Sequence, residues 1–382
     1  MSDAWRATAM PTVATLLVIG ARAARALEAA EAAKAGGTDV PPALKAAAAW
    51  ADRATETILL ISYSPSSARV TAALLPVLLS AQAAPDKDTA RLAAGVLASA
   101  SHALIFPACA AASARDAEFV RGVACAAAAA VPVTVSAADP SAQTTASSLS
   151  SSPPPPPPSS ALHALATGAM TTANESLAAI VARILSNAVS TSASYFVRRS
   201  AVLFLGAVRA RNIVALPRDV DRAFTAVVRA ALTDSQPETA EAAGDTLVGC
   251  IATLPPAEKL SLARTALKTL STKPPIRVAP PDESATPEVF ATQAAAFKAF
   301  RAASATAARA RHAAVLSVAA VARAHPHDVP EFLPALLAAL ARHANDVAPV
   351  GTAVKKALAA FRASHADNWE KVSGDKYPPL VT

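Results

Sequence analysis

Histidine is the residue type in this sequence that is best suited to bind a metal ion or to take part in catalysis. Five of the seven histidines fall in the last quarter of the sequence. The tetrapeptide HPHD, from His325 to Asp328, sets two imidazoles and a carboxylate side by side, a combination that can bind a metal ion. The spacing argues against such a site, because positions i and i+2 across a proline do not direct two imidazoles at one ion. No further Cys/His pair follows at zinc-site spacing, so the sequence predicts neither a metal site nor any other cofactor.

Motifs of covalent or phosphoryl-transfer catalysis do not occur, since the sequence has no GxxxxGK[ST], GxSxG, HExxH or GxGxxG pattern. Serine, cysteine and aspartate residues are scattered without a neighbouring base in a motif context. The three cysteines, Cys109, Cys125 and Cys250, lie in apolar stretches, and an odd number of thiols fits a reducing compartment rather than a disulfide framework. We therefore predict that the chain is not an enzyme and that it works in the nucleus and cytoplasm.

The charge balance, 35 − 28 = +7, raises the question of nucleic-acid binding. No Lys/Arg run exceeds a pair, and aromatic residues for base stacking do not alternate with the basic ones, so we predict no direct nucleic-acid binding. The apolar runs are much shorter than the roughly 20 residues of a membrane span, so we also predict no membrane insertion. The basic residues considered are Arg198, Arg199, Arg209, Arg211, Arg218, Arg222, Lys355, Lys356 and Arg362.

The elements that must position these side chains are helices. Hydrophobic residues make up 53% of the chain but aromatic residues only 4%, because alanine, the best helix former, supplies the excess. Apolar residues recur at steps of three and four along segments of roughly 12–20 residues, and two such helices fill the period of a HEAT unit. The sequence thus predicts an all-α fold, a HEAT/ARM-like α-solenoid of antiparallel helix pairs, interrupted by a disordered Ser/Pro-rich insertion.

Composition changes divide the chain into six predicted parts. Six consecutive prolines in a serine-rich tract cannot continue a helix or bury enough apolar surface to fold. A second proline-rich stretch, from Ser271 to Glu288, is typical of a surface loop. The parts are a helical repeat region (1–135), the disordered linker (136–160), HEAT-like repeats (161–270), the proline-rich loop (271–288), a C-terminal domain (289–370) and a tail (371–382). The pattern leaves open whether Pro287 to Ala324 forms one helix or two.

The last seventy residues carry a more specific series of motifs. "RHAAVL" is expected to open a helix, "HPHDVPEFLPALL" follows, and "HANDVAPVGTAVKKALAAFRASHADNW" ends the series. This series resembles the C-terminal domain of the large single-chain HEAT-repeat proteasome activators, with a one-residue gap near Gly351 and His327 where the family often has tyrosine. The residues that carry the family signature are Arg311, His312, Asp328, Pro330, Pro334, Lys355, Lys356, Phe361, Arg362, His365, Asp367, Asn368 and Trp369.

The resemblance implies a non-catalytic partner protein. Members of this family form a solenoid that closes over the α-ring of the 20S proteasome core particle and promotes ATP- and ubiquitin-independent degradation. Some act in the nucleus, in DNA repair and in the turnover of acetylated histones. Family members dock through a terminal hydrophobic-Tyr-x sequence, whereas here Lys376 precedes Tyr377 and five residues follow it, so we expect this docking ending to be absent.

Two other interpretations remain open at this point: a generic HEAT-repeat scaffold for a protein partner, and a chromatin or acetylated-histone adaptor. Simpler structural roles are expected for the individual signature residues. Trp369 is expected to anchor packing, His365 and Asp367 to cap the last helix, and Phe361, like Phe332, to lie in the core. Lys355 and Lys356 are expected on a solvated face.

Overall fold

The structure is a computed structural model, and it describes residues 42, 68–83, 87–106, 110–130, 176–272, 275–281 and 287–366. All regular secondary structure within these ranges is helical. The predicted linker (136–160), the predicted tail (371–382) and most of the predicted first region fall outside the described residues. The all-α fold is therefore confirmed for the part of the chain that is described.

The chain divides into two compact units, residues 1–221 and 222–382. In the first unit α1 contacts α2, α3, α4 and α5, while α5 also contacts α2 and α4. The apolar face of α5, from Val197 to Val208, is buried. The elements of this unit are α1 (Ala68–Ser80), a 3-10 turn (Ala81–Ala83), α2 (Lys87–Ala103), α3 (Ala110–Ala130), α4 (Leu177–Thr191), α5 (Tyr195–Asn212) and the start of α6 (Arg218–Ala231).

A buried amide fixes the end of α5 in the first unit. Asn212 donates from Nδ2 to the carbonyl oxygens of Leu104 (2.9 Å) and Val208 (2.8 Å). Its Oδ1 accepts from the backbone N–H of Phe106 at 2.6 Å. These bonds use both amide donors and the carbonyl, as a side chain that is only 2% exposed requires.

Proline and acidic residues begin three helices of the second unit. Pro237, Pro256 and Pro287 each stand first, because a residue at this position needs no N–H donor, and each is followed by a glutamate in the first turn. The unit holds the rest of α6, then α7 (Pro237–Ala252), α8 (Pro256–Leu270), α9 (Pro287–Arg323), α10 (Leu333–Ala341) and α11 (Val350–Ser364).

Helix α9 is the centre of this second unit, because it contacts α7, α8, α10 and α11. Helix α8 also contacts α10, and α10 contacts α11. Contacts between nearest and next-nearest helices are what stacked helical hairpins produce, so the unit is consistent with the predicted α-solenoid. Its HEAT-like character stays a prediction.

The open question about residues 287–324 is answered by a single helix of 37 residues, α9. The prediction that "RHAAVL" opens a helix is therefore wrong, since Arg311 lies well inside α9. No proline or glycine occurs after Pro287 in this segment, so nothing in it interrupts the helix. Among the described residues, no helix combines the length and hydrophobicity needed to span a bilayer.

Candidate functional site

Arg311 joins three elements of the second unit. Its Nε donates to the backbone carbonyl of Leu270 at the end of α8, over 3.1 Å. Its Nη2 donates to Oδ2 of Asp346, in the segment between α10 and α11, over 2.6 Å. The same Oδ2 lies 2.8 Å from Nδ1 of His343, which must donate because the carboxylate can only accept. We call Arg311, His343, Asp346 and the Leu270 carbonyl the Arg311 clamp.

The turn that presents Asp346 requires a glycine at its far end. A Cβ on Gly351 would lie 2.2 Å from the backbone oxygen of Asp346 and 2.9 Å from that of Ala344. Distances this short between a side-chain carbon and backbone oxygen atoms do not occur without displacement of the turn. Gly351 therefore lets the first turn of α11 lie against the residues that carry the Asp346 carboxylate.

His312, the next residue on α9, is buried, with 6% of its surface exposed. Burial lowers the pKa of His312, the negative charge of Glu241 on α7 raises it, and the positive charge of Lys356 on α11 lowers it. Burial is the largest of these effects, so the imidazole is held in its neutral form more firmly than a histidine in water. His312 thus acts as an uncharged component of the α7–α9–α11 interface.

Two carboxylates one turn apart on α7 tie this helix to its neighbours. Glu241 accepts from Nζ of Lys356 on α11 at 2.8 Å, and Asp245 accepts from Arg323 on α9. Between them, Gly244 lies against α9: a Cβ there would stand 3.3 Å from Cβ of Leu316. A small residue at this position allows the close approach of α7 and α9, and the ion pairs border that contact.

Two apolar clusters lie between α8, α9, α10 and α11 in the described part of the second unit. The larger joins α8, α9, α10 and α11 and contains the buried Val315, Val318 and Val354. The smaller lies near the ends of α9 and α11 and contains Leu333 and Phe361. The prediction that Phe361 lies in the core is therefore confirmed, since it is 3% exposed.

Two buried histidines border the smaller cluster. The ring of His325 meets Phe332 edge-on at 5.9 Å, and the ring of His365 lies 4.2 Å from that of Phe361. Phe332, predicted to be core, is half-buried against the cluster. The Nδ1 atom of His325 approaches the Asp328 carboxylate at 3.2 Å, and Nδ1 of His365 approaches the carbonyl of Phe361 at 3.1 Å. His365 ends α11 as its C-cap, so the capping role predicted for it is confirmed.

The HPHD tetrapeptide separates its two imidazoles, because His325 is buried while His327 is exposed. Within the described residues, no group of three or more histidine, cysteine, aspartate or glutamate side chains is placed to hold a metal ion. Among the signature residues, Arg311, His312 and Phe361 instead contribute to the packing of the helices.

The remaining signature residues lie at the surface or outside the described part. Lys355 and Arg362 are exposed on α11, and the side chain of Lys356 is 73% exposed despite its ion pair. Asp328 is also exposed, and Pro330 and Pro334 are half-buried around the start of α10. The last three signature residues lie outside the described residues, and their predicted roles stay untested: Asp367, Asn368 and Trp369.

Several arginines behind the nucleic-acid hypothesis make contacts within the first unit. Arg209 is 3% exposed and holds Asp221 through Nε at 2.6 Å and Nη2 at 3.1 Å. Arg198 donates to the backbone carbonyls of Ser192 and Ala193. Arg211 donates to Nε2 of His102 at 2.9 Å. Side chains engaged in this way are less available to contact phosphate groups.

The sequence did not assign a role to His343, Asp346 or Gly351, although all three lie in the quoted motif series. The partner that links this turn to α9 is distant in sequence, since Arg311 precedes Asp346 by 35 residues. The Asn-Asp pair shortly before a proline is a local signal, because these residue types are typical of a turn. Helical periodicity shows which face of a helix is apolar, but in alanine-rich helices it does not show which residues of two helices contact each other.

Comparison with known proteins adds an independent observation on the same part of the chain. Residues 308–377 match the protein family described as proteasome activator complex subunit 4-like, C-terminal. Similar relatives are proteasome activator complex subunit 4 of Homo sapiens (46% identical over 60 residues) and subunit 4B of Danio rerio (47% over 58). Proteasome activator subunit 4 of Arabidopsis thaliana is 43% identical over 58 residues. The resemblance noted in the sequence is thus confirmed for a C-terminal segment.

The similarity has a limited extent. It covers 15–16% of this chain and 3% of each of these relatives. The chain therefore spans a small fraction of the length of the curated relatives that it matches. The matched segment begins just before the buried part of α9 and includes α10 and α11.

Proposed function

We propose that this chain, similar in its C-terminal segment to proteasome activator subunit 4, is part of a proteasome regulator that binds the α-ring of the 20S core particle. In this role it promotes the ATP- and ubiquitin-independent degradation of peptides and proteins. The observation that carries the proposal is the family match of residues 308–377, together with 43–47% identity over 58–60 residues to animal and plant activators. The role is that of a regulator and not of a peptidase.

The positions of the matched residues support this proposal. The matched segment contains the Arg311 clamp except for Leu270, and it contains His312, Phe361 and His365. These side chains fix how α9, α10 and α11 lie against each other, so a relative with the same residues is expected to build the same helix arrangement. The exposed residues Lys355 and Arg362 of the segment are then available for contacts with a partner.

The family resemblance also supports a location in the nucleus and cytoplasm, which we include in the proposal. The same resemblance suggests a role in DNA repair and in the turnover of acetylated histones. No contact described in this chain bears on these two roles. These finer roles are therefore secondary to the binding of the core particle.

A segment exchange tests whether the matched helices are functionally equivalent. The corresponding segment of the human relative would be replaced by residues 308–377 of this chain, and hydrolysis of a fluorogenic peptide by purified 20S core particles would be measured. We expect the chimera to stimulate hydrolysis within about twofold of the unmodified human protein. A matched chimera with Gly351→Ala should lose stimulation, because the turn before α11 cannot hold a Cβ. A folded first chimera that fails to stimulate would contradict the proposal.

Direct binding is a second test, with the full chain. Co-sedimentation with purified 20S core particles should show binding, together with weak or no stimulation of peptide hydrolysis. Binding should persist in the Phe196→Ala variant, a substitution of an exposed residue in the first unit. Failure of the full chain to co-sediment at any salt concentration would count against binding to the α-ring.

A further inference from the structure

The first part of α9 lies outside the core of the second unit. We call residues 287–310 the arm. None of its residues from Glu288 onward is buried, whereas the next part of the same helix buries Ala314, Val315 and Val318. At a rise of 1.5 Å per residue the arm is about 36 Å long. A helix segment of this length with no buried residue would be expected to be polar, yet the arm carries three of the ten phenylalanines of the chain.

The large side chains of the arm follow one line along the helix. Phe290, Phe297 and Phe300 are spaced by seven and three residues, and the rings of Phe297 and Phe300 lie 6.4 Å apart. With steps of three and four, the line continues through small residues toward the buried half of α9. We call this line the seam, and its members are Phe290, Gln293, Phe297, Phe300, Ser304 and Ala307. Every member after Phe290 is half-covered, while the opposite face is exposed.

Alternating steps of three and four are the spacing of helices that pack along each other. A partner in this geometry is itself a helix with apolar residues at the same spacing. The seam also tapers, since phenylalanines occupy its outer part and Ser304 and Ala307 its inner part. Small residues let a second helix backbone approach closely, and larger residues hold it further away. A helix bound along the seam would therefore lie closer to α9 at Ser304 and Ala307 than at the phenylalanines.

The charges on the arm indicate the kind of helix that fits. Between Val289 and Ala310 the arm has three basic residues, Lys298, Arg301 and Arg309, and no acidic residue. Arg301 directly follows Phe300 and flanks the seam, the position from which interhelical ion pairs form. A second copy of the arm would set like charges against each other, which disfavours self-association.

We propose that the arm is a docking surface for an amphipathic helix of a partner protein that carries acidic residues beside its apolar stripe. The apolar residues of the partner would cover Phe290, Phe297 and Phe300, and its carboxylates would pair with Arg301, which flanks the seam. The arm lies almost wholly before the segment that matches the activator family, at 308–377, so the inference does not depend on the proposed function.

Two designed peptides test this inference with the full chain. Both are amphipathic helices of the arm's length with leucine at the 3-4 spacing, and their flanking positions carry glutamate in one and lysine in the other. Fluorescence anisotropy at low ionic strength would measure the two dissociation constants. We expect the acidic peptide to bind at least tenfold more tightly, and this preference to shrink in high salt.

Substitutions on the arm separate the apolar contribution from the charge contribution. Phe297→Ala with Phe300→Ala should weaken binding of the acidic peptide at least tenfold, whereas Phe196→Ala, which removes an exposed phenylalanine from α5, should leave it unchanged. Arg301→Glu should reverse the preference between the two peptides. Because the substituted side chains are not buried, circular dichroism and thermal unfolding should match those of the unmodified chain.

Three results would overturn the inference. The first is equal affinity for the two peptides, and the second is unchanged binding after the double phenylalanine substitution. The third is sedimentation of the chain as a dimer that the double substitution converts to a monomer, because the seam would then be covered by a second copy.

Discussion

At the scale of single residues, the arrangement around Asp346 shows most clearly how side chains join the elements of the second unit. One oxygen, Oδ2, accepts hydrogen bonds from both Arg311 and His343, and both carboxylate and guanidinium are largely shielded from water, with 29% and 20% of their side chains exposed. Partly buried ion pairs with short hydrogen bonds contribute more than exposed ones, since removal of one partner leaves the other without compensation.

The first prediction concerns this carboxylate. Asp346→Asn should lower the free energy of unfolding by about 2 kcal/mol, because the Arg311 guanidinium loses its charged acceptor but stays partly buried. Urea unfolding followed by circular dichroism measures the effect. The matched control is Lys356→Gln, which breaks an exposed pair and should cost less than about 1 kcal/mol. Equal losses in the two variants would contradict the role assigned to the Arg311 clamp.

The second prediction concerns His312 and pH. Its pKa in the folded chain is lowered below the ordinary value of 6.5, chiefly by burial. The unfolded chain therefore binds a proton at His312 first as the pH falls, so stability is lost as the pH drops below 6.5 toward the folded-state pKa. The unfolding free energy measured between pH 7.5 and 5 should fall more steeply for the unmodified chain than for His312→Gln.

The control for this pH dependence is His327→Gln, which removes an exposed histidine. Its unfolding free energy should fall with pH as steeply as that of the unmodified chain. Identical slopes for His312→Gln and the unmodified chain would show that His312 does not contribute.

Single residues were predictable where their role is local. The burial of Phe361 and the capping position of His365 follow from the spacing within one helix, and both predictions were confirmed. The pairing of Arg311 with Asp346 was not predictable, because it depends on how α8, α9 and α11 lie in space. A sequence in which alanine covers most helix faces gives few clues to which faces meet.

At the scale of elements, the positions where two backbones approach closely decide the packing. Gly351 is such a position, since it stands against the turn at Ala344 and Asp346. Gly249 on α7 is the opposite case, because an added Cβ there would meet no atom within 4 Å.

The third prediction compares these two glycines. Gly351→Ala should lower the free energy of unfolding by at least about 2 kcal/mol, since the new Cβ collides with backbone atoms that cannot move without opening the turn. Gly249→Ala should raise it by about 0.5–1 kcal/mol, because alanine favours a helix interior over glycine. Chemical unfolding of both variants measures the difference. A Gly351→Ala variant as stable as the unmodified chain would show that the turn is not constrained.

The elements themselves were largely predictable from the sequence. Helices α7 and α8 begin with a proline and an early glutamate, as helix N-termini prefer, and the apolar faces of α5 and α7 are buried, as three- and four-residue spacing predicts. The unbroken course of α9 was left open by the pattern. Its arm shows why: alanine-rich helices keep their periodicity whether or not another element covers them.

At the scale of the whole chain, the two units differ in how far they can be related to a protein family. The second unit holds the segment that is similar to proteasome activator subunit 4, so its helix arrangement can be related to a family. The helix arrangement of the first unit is described by its internal contacts, such as those of Asn212 and Arg209. The sequence could predict its helical class but not its partners, because the contacts of Asn212 reach back across 108 residues to the end of α2.

The contacts around α9 also set an order in which the second unit is completed during synthesis. Glu241 and Lys356 are 115 residues apart, and at about 5–20 residues per second the ribosome needs roughly 6–23 s between them. In the last part of this interval, after Arg323 and before Lys356, α7, α8 and α9 have been synthesised while α11 is still incomplete. A nascent chain paused there displays the apolar face of α9, with Val315 and Val318, to chaperones and proteases until the last helix emerges.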